Sequence, residues 1–509
     1  MNSENSIFYT PRHYSQISLW KDVKVEDWNN ASWQLKNSIR KLEQLKQVIQ
    51  LNAWQEAEIS RTIETMRSEG KDPLRITPYY ALLMHKNPFK PTNLYHKARN
   101  RVDPIFWQSV PTPANLMFPN AGKEASMNEG SRSYGAAYQR YPNRVALFVA
   151  ENTSCASYCV HCQRAKSLDC NTSISTDELN KGLFYIAYNT NINEVLVTGG
   201  DALMIGKKRL AYILEELSKI PHLRSIRIAT RVPVVLPMAV TDELLHLIKT
   251  SAIKHNTGIE KYVYFMTHIN HYQEITQDLF HAVKRIREAG FTIRNQTVLL
   301  NHVNDNYFML AETFRRMFWV GLHPYYLLQC HKEKGLMHFI VPIQVGKIFM
   351  KHLQGWLSGI TVPRYAANVD GGGGKVLLMP SGHDTLNVNT RLDDKISESF
   401  ADVYTWDNKK IERYEALGRA TREEFDEAVL QMDKFIGRKG AFRPKVIITD
   451  DDGNYIETTN RTSLPVFERK RKAELLDYEL NAGEMVITNP ATFSSRIDEE
   501  FEKSAFKKQ

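Results

Sequence analysis

The stretch VALFVAENTSCASYCVHC at residues 145–162 decides the fold, because it joins an apolar run of strand length to a loop with three cysteines. Cys155, Cys159 and Cys162 follow one another at the spacing C-x3-C-x2-C. Three thiolates on one loop can hold three irons of a 4Fe-4S cluster and leave the fourth iron open to a ligand. The spacing therefore favours such a cluster directly after a strand.

A zinc site is the alternative interpretation of the same loop. Structural zinc needs four ligands, and His161 or Cys170 would supply the fourth. The chain has five cysteines among 509 residues, which is too few for a small secreted disulfide scaffold. Clustered thiols in a reducing compartment indicate a metal or redox chemistry, and Cys330 stands alone in the sequence.

Beyond this loop, short β-rich runs alternate with helix-like segments. The predicted strands are 145–150, 194–198, 225–230, 262–267, 291–299, 325–328 and 360–365, and the predicted helices between them include 207–219, 242–249 and 276–289. Such alternation predicts βαβ units and a parallel sheet. The fold class is therefore α/β, a partial (β/α)6-type barrel, and its chemistry is expected at the carboxyl ends of the strands.

The regions on either side of the barrel have different patterns. Leu35, Ile39, Leu42, Leu45 and Ile49 recur at helical spacing and predict one amphipathic helix. A loop is predicted at 111–136, a helix at 422–436 and two strands around a turn within 442–458. We divide the chain into an N-terminal helical region (1–110), the barrel (111–385) and a C-terminal α+β extension of unknown role (386–509).

Two glycine motifs follow predicted strands. Gly199, Gly200 and Asp201 end the second strand, where paired glycines allow a ligand close to the backbone, although a tight turn alone would explain them. Lys375 closes a run of four glycines after the last strand. A lysine at a barrel mouth is a candidate nucleophile, and a solvated lysine on a flexible loop is the alternative.

The charge and hydropathy of the chain exclude several classes of protein. There are 66 Lys and Arg against 57 Asp and Glu, a net charge of +9. The basic residues are scattered, so we expect no nucleic-acid partner and favour anionic small molecules. No apolar run approaches the ~18 residues that span a bilayer, and the first residues do not resemble a signal peptide. We expect a cytoplasmic protein without a membrane partner.

The sequence resembles the lysine 2,3-aminomutase family of radical S-adenosylmethionine enzymes, which depend on pyridoxal phosphate. The matching stretches lie between about residue 19 and about residue 380: WQLKNSIRKLEQL, ITPYY, RYPNRV, the thiol motif, VLVTGGDALM, RIATRVPVVLP, THINHYQEIT, NQTVLLNHVND, PYYLLQC, HF-x2-P and GGGGK. The resemblance implies an isomerase that moves an amino group from C2 to C3 of a free amino acid. It also implies an electron donor such as flavodoxin or ferredoxin, and a homo-oligomer.

The resemblance assigns roles to individual residues. It implies that Cys155, Cys159 and Cys162 bind the cluster, and that Lys375 carries pyridoxal phosphate. The residues implied to bind S-adenosylmethionine are Gly199, Gly200, Asp201, His268 and Gln296. Arg140 and Arg144 are implied to bind the phosphate of pyridoxal phosphate. Arg164 is implied to bind the substrate α-carboxylate.

Two departures from the family pattern bear on the substrate and on zinc. Where the family's lysine enzymes place two aspartates around the distal ammonium, this chain has His331 and Asn368. A buried ammonium without a counter-charge costs several kcal/mol, so we expect glutamate or another amino acid without a distal ammonium. No cysteine follows Cys330, and Asn306 stands at an inter-subunit thiol position, so no structural zinc is expected.

Alternative functions remain open from the sequence alone. Asp370 would rescue lysine as the substrate if its loop shifted, which would make the protein an L-lysine 2,3-aminomutase. A radical S-adenosylmethionine relative that acts on a protein side chain would keep both cofactors. A non-catalytic iron–sulfur or zinc protein would keep the thiol loop but would not need Lys375.

Overall fold

The computed structural model describes residues 7–90, 102–121, 132–150, 155–162, 173–255, 257–258, 260–369, 374–378, 400–404, 411–415 and 417–459. Three residues discussed above, Arg164, Cys170 and Asp370, lie outside these ranges.

A ten-stranded sheet forms the barrel wall, with its strands in chain order. The strands are β1 (Arg132–Tyr134), β2 (Ala137–Tyr141), β3 (Arg144–Phe148), β4 (Glu194–Thr198), β5 (Ser225–Ala229), β6 (Tyr262–Thr267), β7 (Thr292–Leu299), β8 (His323–Gln329), β9 (Arg364–Val369) and β10 (Gly374–Leu377). Neighbours from β3 to β9 pair in parallel. The pairs β1–β2, β2–β3 and β9–β10 are antiparallel. The predicted partial barrel is confirmed.

Helices connect the parallel strands and precede and follow the barrel. In the described ranges they are α1 (Val25–Trp28), α2 (Ala31–Lys36), α3 (Leu42–Leu45), α4 (Ala53–Ser68), α5 (Pro78–Ala81), α6 (Pro104–Ser109), α7 (Thr176–Tyr188), α8 (Lys207–Ser218), α9 (Val232–Val235), α10 (Asp242–Ala252), α11 (Gln277–Glu288), α12 (Tyr307–Trp319), α13 (Ile343–Trp356) and α14 (Arg422–Ile436). Ser175, Thr241 and Thr276 cap α7, α10 and α11 by accepting a backbone N–H of the first turn.

The two faces of each parallel strand differ. Along β7, Ile293, Asn295, Thr297 and Leu299 are buried, whereas the alternate residues are less buried. Two of those alternate residues, Gln296 and Val298, line a cavity inside the barrel. The side chains of a strand alternate between faces, so one face of β7 is buried in packing and the other faces the cavity.

The N-terminal prediction of one helix through residues 35–49 is wrong. Helix α2 ends at Lys36, Ile39 pairs with Ile76 in an isolated bridge, and α3 begins only at Leu42. The backbone N–H of Asn37 bonds the last turn of α2, and Gln44 caps the start of α3. Ile39, Leu45 and Ile49 are buried as expected, whereas Leu35 and Leu42 are only half-buried, and local capping divides the segment.

Two further predictions need correction. The last parallel strand is Arg364–Val369 and not 360–365, because α13 ends at Trp356 and a turn bonds Thr361 N–H to the Ser358 carbonyl. The stretch predicted as a loop, 111–136, contains strand β1. Here the antiparallel pairing with β2 makes a strand from residues without a strong apolar pattern.

The C-terminal extension contains the predicted helix and strands. Helix α14 spans Arg422–Ile436, and β13 (Gly418–Thr421), β14 (Val446–Thr449) and β15 (Tyr455–Thr458) form a small sheet. Strands β11 (Phe400–Tyr404) and β12 (Ile411–Glu415) pair separately. The extension packs on α4, where Gln55 donates a hydrogen bond to the Phe435 carbonyl over 2.9 Å. None of the helices in the described ranges is long and apolar enough to cross a membrane.

Candidate active site

A cavity of about 320 Å3 opens at the carboxyl ends of the parallel strands. Its wall includes eight of the residues predicted from sequence: Cys155, Cys159, Cys162, Gly200, Asp201, His268, Gln296 and His331. Cys330 also lines it, although it stands alone in the sequence. Residues far apart in the chain therefore meet where the barrel rule places chemistry.

The thiol loop is held by the N-terminal region. The Tyr158 N–H donates to the Arg75 carbonyl over 2.7 Å, and the Arg75 guanidinium donates to the Cys155 carbonyl over 3.2 Å. The Val160 N–H bonds the Gln108 carbonyl over 3.1 Å. These contacts fix the backbone of the loop at Cys155, Tyr158 and Val160.

The three thiols match the ligand set of a 4Fe-4S cluster with one open iron. Among the described residues, no three cysteine, histidine or carboxylate side chains are grouped so that they could hold one metal ion. Each thiolate of a 4Fe-4S cluster binds a different iron, so its thiols need not converge on one point. Burial raises the pKa of the Cys155 thiol, and Asp201 adds to the rise. A bound metal would reverse this by stabilising the thiolate.

The glycine pair at the end of β4 takes a backbone conformation that favours glycine. Gly199 has a φ of 91° and Gly200 a φ of 70°. A Cβ on Gly199 would lie 2.8 Å from a ring carbon of Phe148, and Gly200 lines the cavity. The adjacent Asp201 carboxylate accepts the backbone N–H groups of Leu203 and Arg231 over 3.0 and 2.7 Å. Asp201 thus ties the turn to the neighbouring strand.

Two histidines in the cavity wall are kept neutral. Burial, with Arg231 second, lowers the pKa of His268 to about 4, and burial also lowers the pKa of His161. His268 Nε2 lies 2.9 Å from Asn270 Oδ1. Neutral imidazoles offer one donor and one acceptor each, so His268 can bind a polar ligand without adding charge.

Lys375 enters the barrel from strand β10. Its Nζ donates to Gln296 Oε1 over 3.3 Å and lies 4.9 Å from the centroid of the Tyr326 ring. Its backbone N–H donates to the Tyr141 hydroxyl over 2.7 Å. Gln296 also lines the cavity, so Lys375 contacts one residue of the wall to which the thiol and glycine motifs belong. Burial lowers the pKa of Lys375 to about 8, which suits a nucleophilic amine.

Three guanidinium groups lie near Lys375 and also lower its pKa: those of Arg227, Arg144 and Arg140, in decreasing order. Arg140 and Arg144 were predicted from sequence, and Arg227 on β5 was not. The Arg227 side chain pairs with Glu194 over 2.8 Å. Several guanidiniums around a lysine form a site for a phosphate, so these residues fit pyridoxal phosphate.

Two residues predicted to meet the substrate side chain, His331 and Asn368, belong to the described part of the chain. His331 lines the cavity, and its Nδ1 lies 4.0 Å from Oε1 of the buried Glu333. Asn368 is the register partner of Lys375 across β9 and β10. The third predicted substrate residue, Arg164, lies outside the described residues.

Sequence reasoning missed one buried ion pair in the site. Arg231 follows β5, and its guanidinium donates to Cys159 Sγ over 2.7 Å and to Glu274 Oε1 over 2.6 Å. Both residues belong to stretches of the family resemblance, RIATRVPVVLP and THINHYQEIT, but received no role there. A charged residue directly after a barrel strand was the available signal.

Comparison with known proteins agrees with this geometry. The family model for the radical SAM superfamily matches residues 152–314. The chain is 34% identical over 368 residues to the L-lysine 2,3-aminomutase of Clostridium subterminale, which covers 72% of this chain and 82% of the relative. It is 34% identical to the L-lysine 2,3-aminomutase of Bacillus subtilis strain 168, over 74% of each chain.

A relative with another substrate in its name is similarly close. The chain is 33% identical to the glutamate 2,3-aminomutase of Clostridioides difficile strain 630, over 70% of this chain and 78% of the relative. These matches cover more than two thirds of each relative. The chain therefore belongs to the lysine 2,3-aminomutase family, isomerases of the radical S-adenosylmethionine superfamily that use a 4Fe-4S cluster, S-adenosylmethionine and pyridoxal phosphate.

Proposed function

We propose that this chain is a 2,3-aminomutase for a free amino acid without a distal ammonium, with glutamate as the favoured substrate. The observation that carries the proposal is the pair His331 and Asn368: one lines the cavity and the other lies beside Lys375. Neither supplies a negative charge, and both can donate hydrogen bonds. A carboxylate or amide at the end of the substrate side chain suits them.

The proposed cofactor sites divide the barrel mouth. Cys155, Cys159 and Cys162 would hold the cluster, and the cavity wall at Gly200 and His268 would hold S-adenosylmethionine. When bound, these groups supply hydrogen abstraction, and pyridoxal phosphate supplies the electronic path for moving nitrogen from C2 to C3. We also propose that a small reductant such as flavodoxin or ferredoxin provides electrons and that the chain forms a homo-oligomer.

The residues around Lys375 bind and orient pyridoxal phosphate in this proposal. The lowered pKa of Lys375 leaves part of its amine neutral near pH 7, and Gln296 Oε1 accepts its N–H and directs Nζ. Arg140, Arg144 and Arg227 would bind the phosphate.

Substrate choice depends on the charge next to His331. Oε1 of the Glu333 carboxylate lies 4.0 Å from His331 Nδ1. Glu333 is buried. Of these two residues, both in the described part of the chain, His331 lines the cavity and Glu333 does not. The substrate would thus meet the imidazole and not the carboxylate. This favours glutamate over lysine.

A variant that adds two carboxylates tests the proposal. In His331→Asp/Asn368→Asp, we expect at least a tenfold loss of kcat/KM for glutamate and a new, weak activity on lysine, because buried polar groups discriminate by up to about four orders of magnitude. The matched control is His246→Asp/Asn191→Asp, which makes the same charge change at exposed positions. If the unchanged protein converts lysine efficiently and ignores glutamate, the substrate assignment is wrong and Glu333 becomes the counter-charge.

A further inference from the structure

Arg231 connects a predicted cluster thiol to a buried carboxylate. One terminal nitrogen of its guanidinium donates to Cys159 Sγ over 2.7 Å. The other donates to Glu274 Oε1 over 2.6 Å. The Arg231 and Glu274 side chains are 9% and 0% exposed, so solvent screens neither charge effectively.

The position of the guanidinium is fixed on every side. Nε donates to the His268 carbonyl over 3.3 Å, and the nitrogen next to Glu274 also donates to the Tyr80 hydroxyl over 2.7 Å and to Gln108 Oε1 over 3.2 Å. Its carbon lies 5.1 Å from the centroid of the Tyr80 ring. A planar, multidentate group held this way keeps its charge at one place.

Glu274 is equally constrained. Its Oε2 accepts the backbone N–H groups of Asn270 and His271 over 2.8 and 3.0 Å, and its Oε1 accepts the Tyr80 hydroxyl over 2.8 Å. These donors hold the carboxylate in one orientation. The pair is therefore a buried cation that faces a thiol on one side and a fixed anion on the other.

We propose that Arg231 is a positioning residue that holds the Cys159 thiolate toward the cluster and raises the reduction potential of that cluster, while Glu274 limits the rise. The inference rests on the proposed role of Cys159 as a cluster ligand. Cluster potentials depend on nearby charge and on hydrogen bonds to the sulfurs. A cation beside a ligand sulfur stabilises the reduced cluster, which carries one more electron, and a neighbouring anion offsets this effect.

The test measures the midpoint potential of the reconstituted cluster by redox titration monitored with electron paramagnetic resonance. Arg231→Met removes the charge and the bond to sulfur, so we expect a lower midpoint potential. At a fixed solution potential the ratio of reduced to oxidised cluster should fall about tenfold, which is equivalent to about 59 mV for a one-electron couple. Glu274→Gln leaves the guanidinium uncompensated and should shift the potential in the opposite direction. Arg231→Lys keeps the charge and should give a smaller fall.

A second ion pair, with side chains 13% and 8% exposed, provides a matched control. Arg316 Nε bonds Glu312 Oε1 over 2.5 Å, and its guanidinium carbon lies 4.9 Å from the centroid of the Tyr272 ring. Arg316→Met should therefore disturb packing to a similar degree and leave the potential unchanged. Iron content and a thermal melt are measured for every variant.

The outcomes separate this inference from the proposed function. If the unchanged protein binds no cluster, both fail. The second outcome is that the unchanged protein binds the cluster and that the Arg231 and Glu274 variants, with full iron content, have the same midpoint potential as the unchanged protein. In that case only the role of Arg231 fails. Should Arg231→Met not fold, the direction of the Glu274→Gln shift decides, and an unchanged or lower potential refutes the proposal.

Discussion

The rate at which the apo protein takes up pyridoxal phosphate should depend on pH in a way that reports the basicity of Lys375. Condensation with the cofactor aldehyde needs a neutral amine. The pKa of Lys375 is lowered from 10.5 to about 8. We therefore expect the uptake rate to rise tenfold for each unit of pH below about 8 and to level off above it.

The size of the effect follows from the two pKa values. Their difference corresponds to about 3 kcal/mol in favour of the neutral amine. At pH 7 the lysine would be neutral about 300 times more often than an ordinary lysine. Burial is the largest cause, and Arg227 comes next. Arg227→Gln should therefore raise the pH at which the rate levels off.

Stopped-flow absorbance with stoichiometric pyridoxal phosphate gives the rate at each pH. A free lysine derivative, measured in parallel, supplies the pH dependence that belongs to the cofactor. Arg285→Gln is the control variant, since Arg285 donates to the Val240 carbonyl on the outer helical layer. If the rate keeps rising through pH 9 toward 10, or if Arg227→Gln changes nothing, the account of Lys375 is wrong.

Three other groups of substitutions, at the cysteines, at Lys375 and at two glycines, should have distinct effects. Cleavage of S-adenosylmethionine should be abolished by Cys155→Ala, Cys159→Ala or Cys162→Ala. Cys170→Ala should keep the full iron content of the cluster. Loss of iron from the Cys170 variant would mean that the wrong thiols were assigned. Lys375→Ala should keep the cluster and lose both bound pyridoxal phosphate and the rearrangement, and a borohydride label mapped to any other lysine contradicts the assignment. Gly199→Ala should lower the free energy of unfolding by about 1–3 kcal/mol. The loss should exceed that of Gly206→Ala, because both glycines have a positive φ but only Gly199 has Phe148 against its Cβ position. Equal losses of the two variants in denaturant titrations would refute this.

The parallel strands were predictable because each is an apolar run between a helix and a turn. Strands β4 and β6 span the predicted residues, and β7 differs by one. Strand β9 was displaced because Ile360, an apolar β-branched residue, lies in a turn with 64% of its surface exposed. Its pattern is that of a strand, but hydrogen bonds in the turn decide the conformation.

The N-terminal region was harder because helix periodicity does not report capping. Ile39 and Leu45 are 1% and 0% exposed, as a helix face would require. Yet Ile39 satisfies its backbone groups through Ile76, which lies far along the chain. Such a long-range bridge leaves no local signal, so periodicity alone identified three buried residues, Ile39, Leu45 and Ile49, and predicted the wrong element.

The candidate site was predictable where a motif follows a strand. The thiols and Gly200 meet in one cavity, as the barrel rule requires, together with His268 and Gln296, which the family resemblance identified. Arg231 was missed because its role depends on Cys159 and Glu274, which are 72 and 43 positions away. Arg227 was missed because an inward-facing residue within a strand has no distinctive neighbours in the sequence.

Product identification with labelled amino acids tests the central claim most directly. The anaerobically reconstituted protein, with reductant and S-adenosylmethionine, is incubated separately with 15N-labelled glutamate, glutamine and lysine. Mass spectrometry and NMR then locate the label. The account predicts that nitrogen moves from C2 to C3 of glutamate, or of the neutral amino acid, with lysine far slower. The absence of any β-amino acid from a protein that holds both cofactors would contradict it.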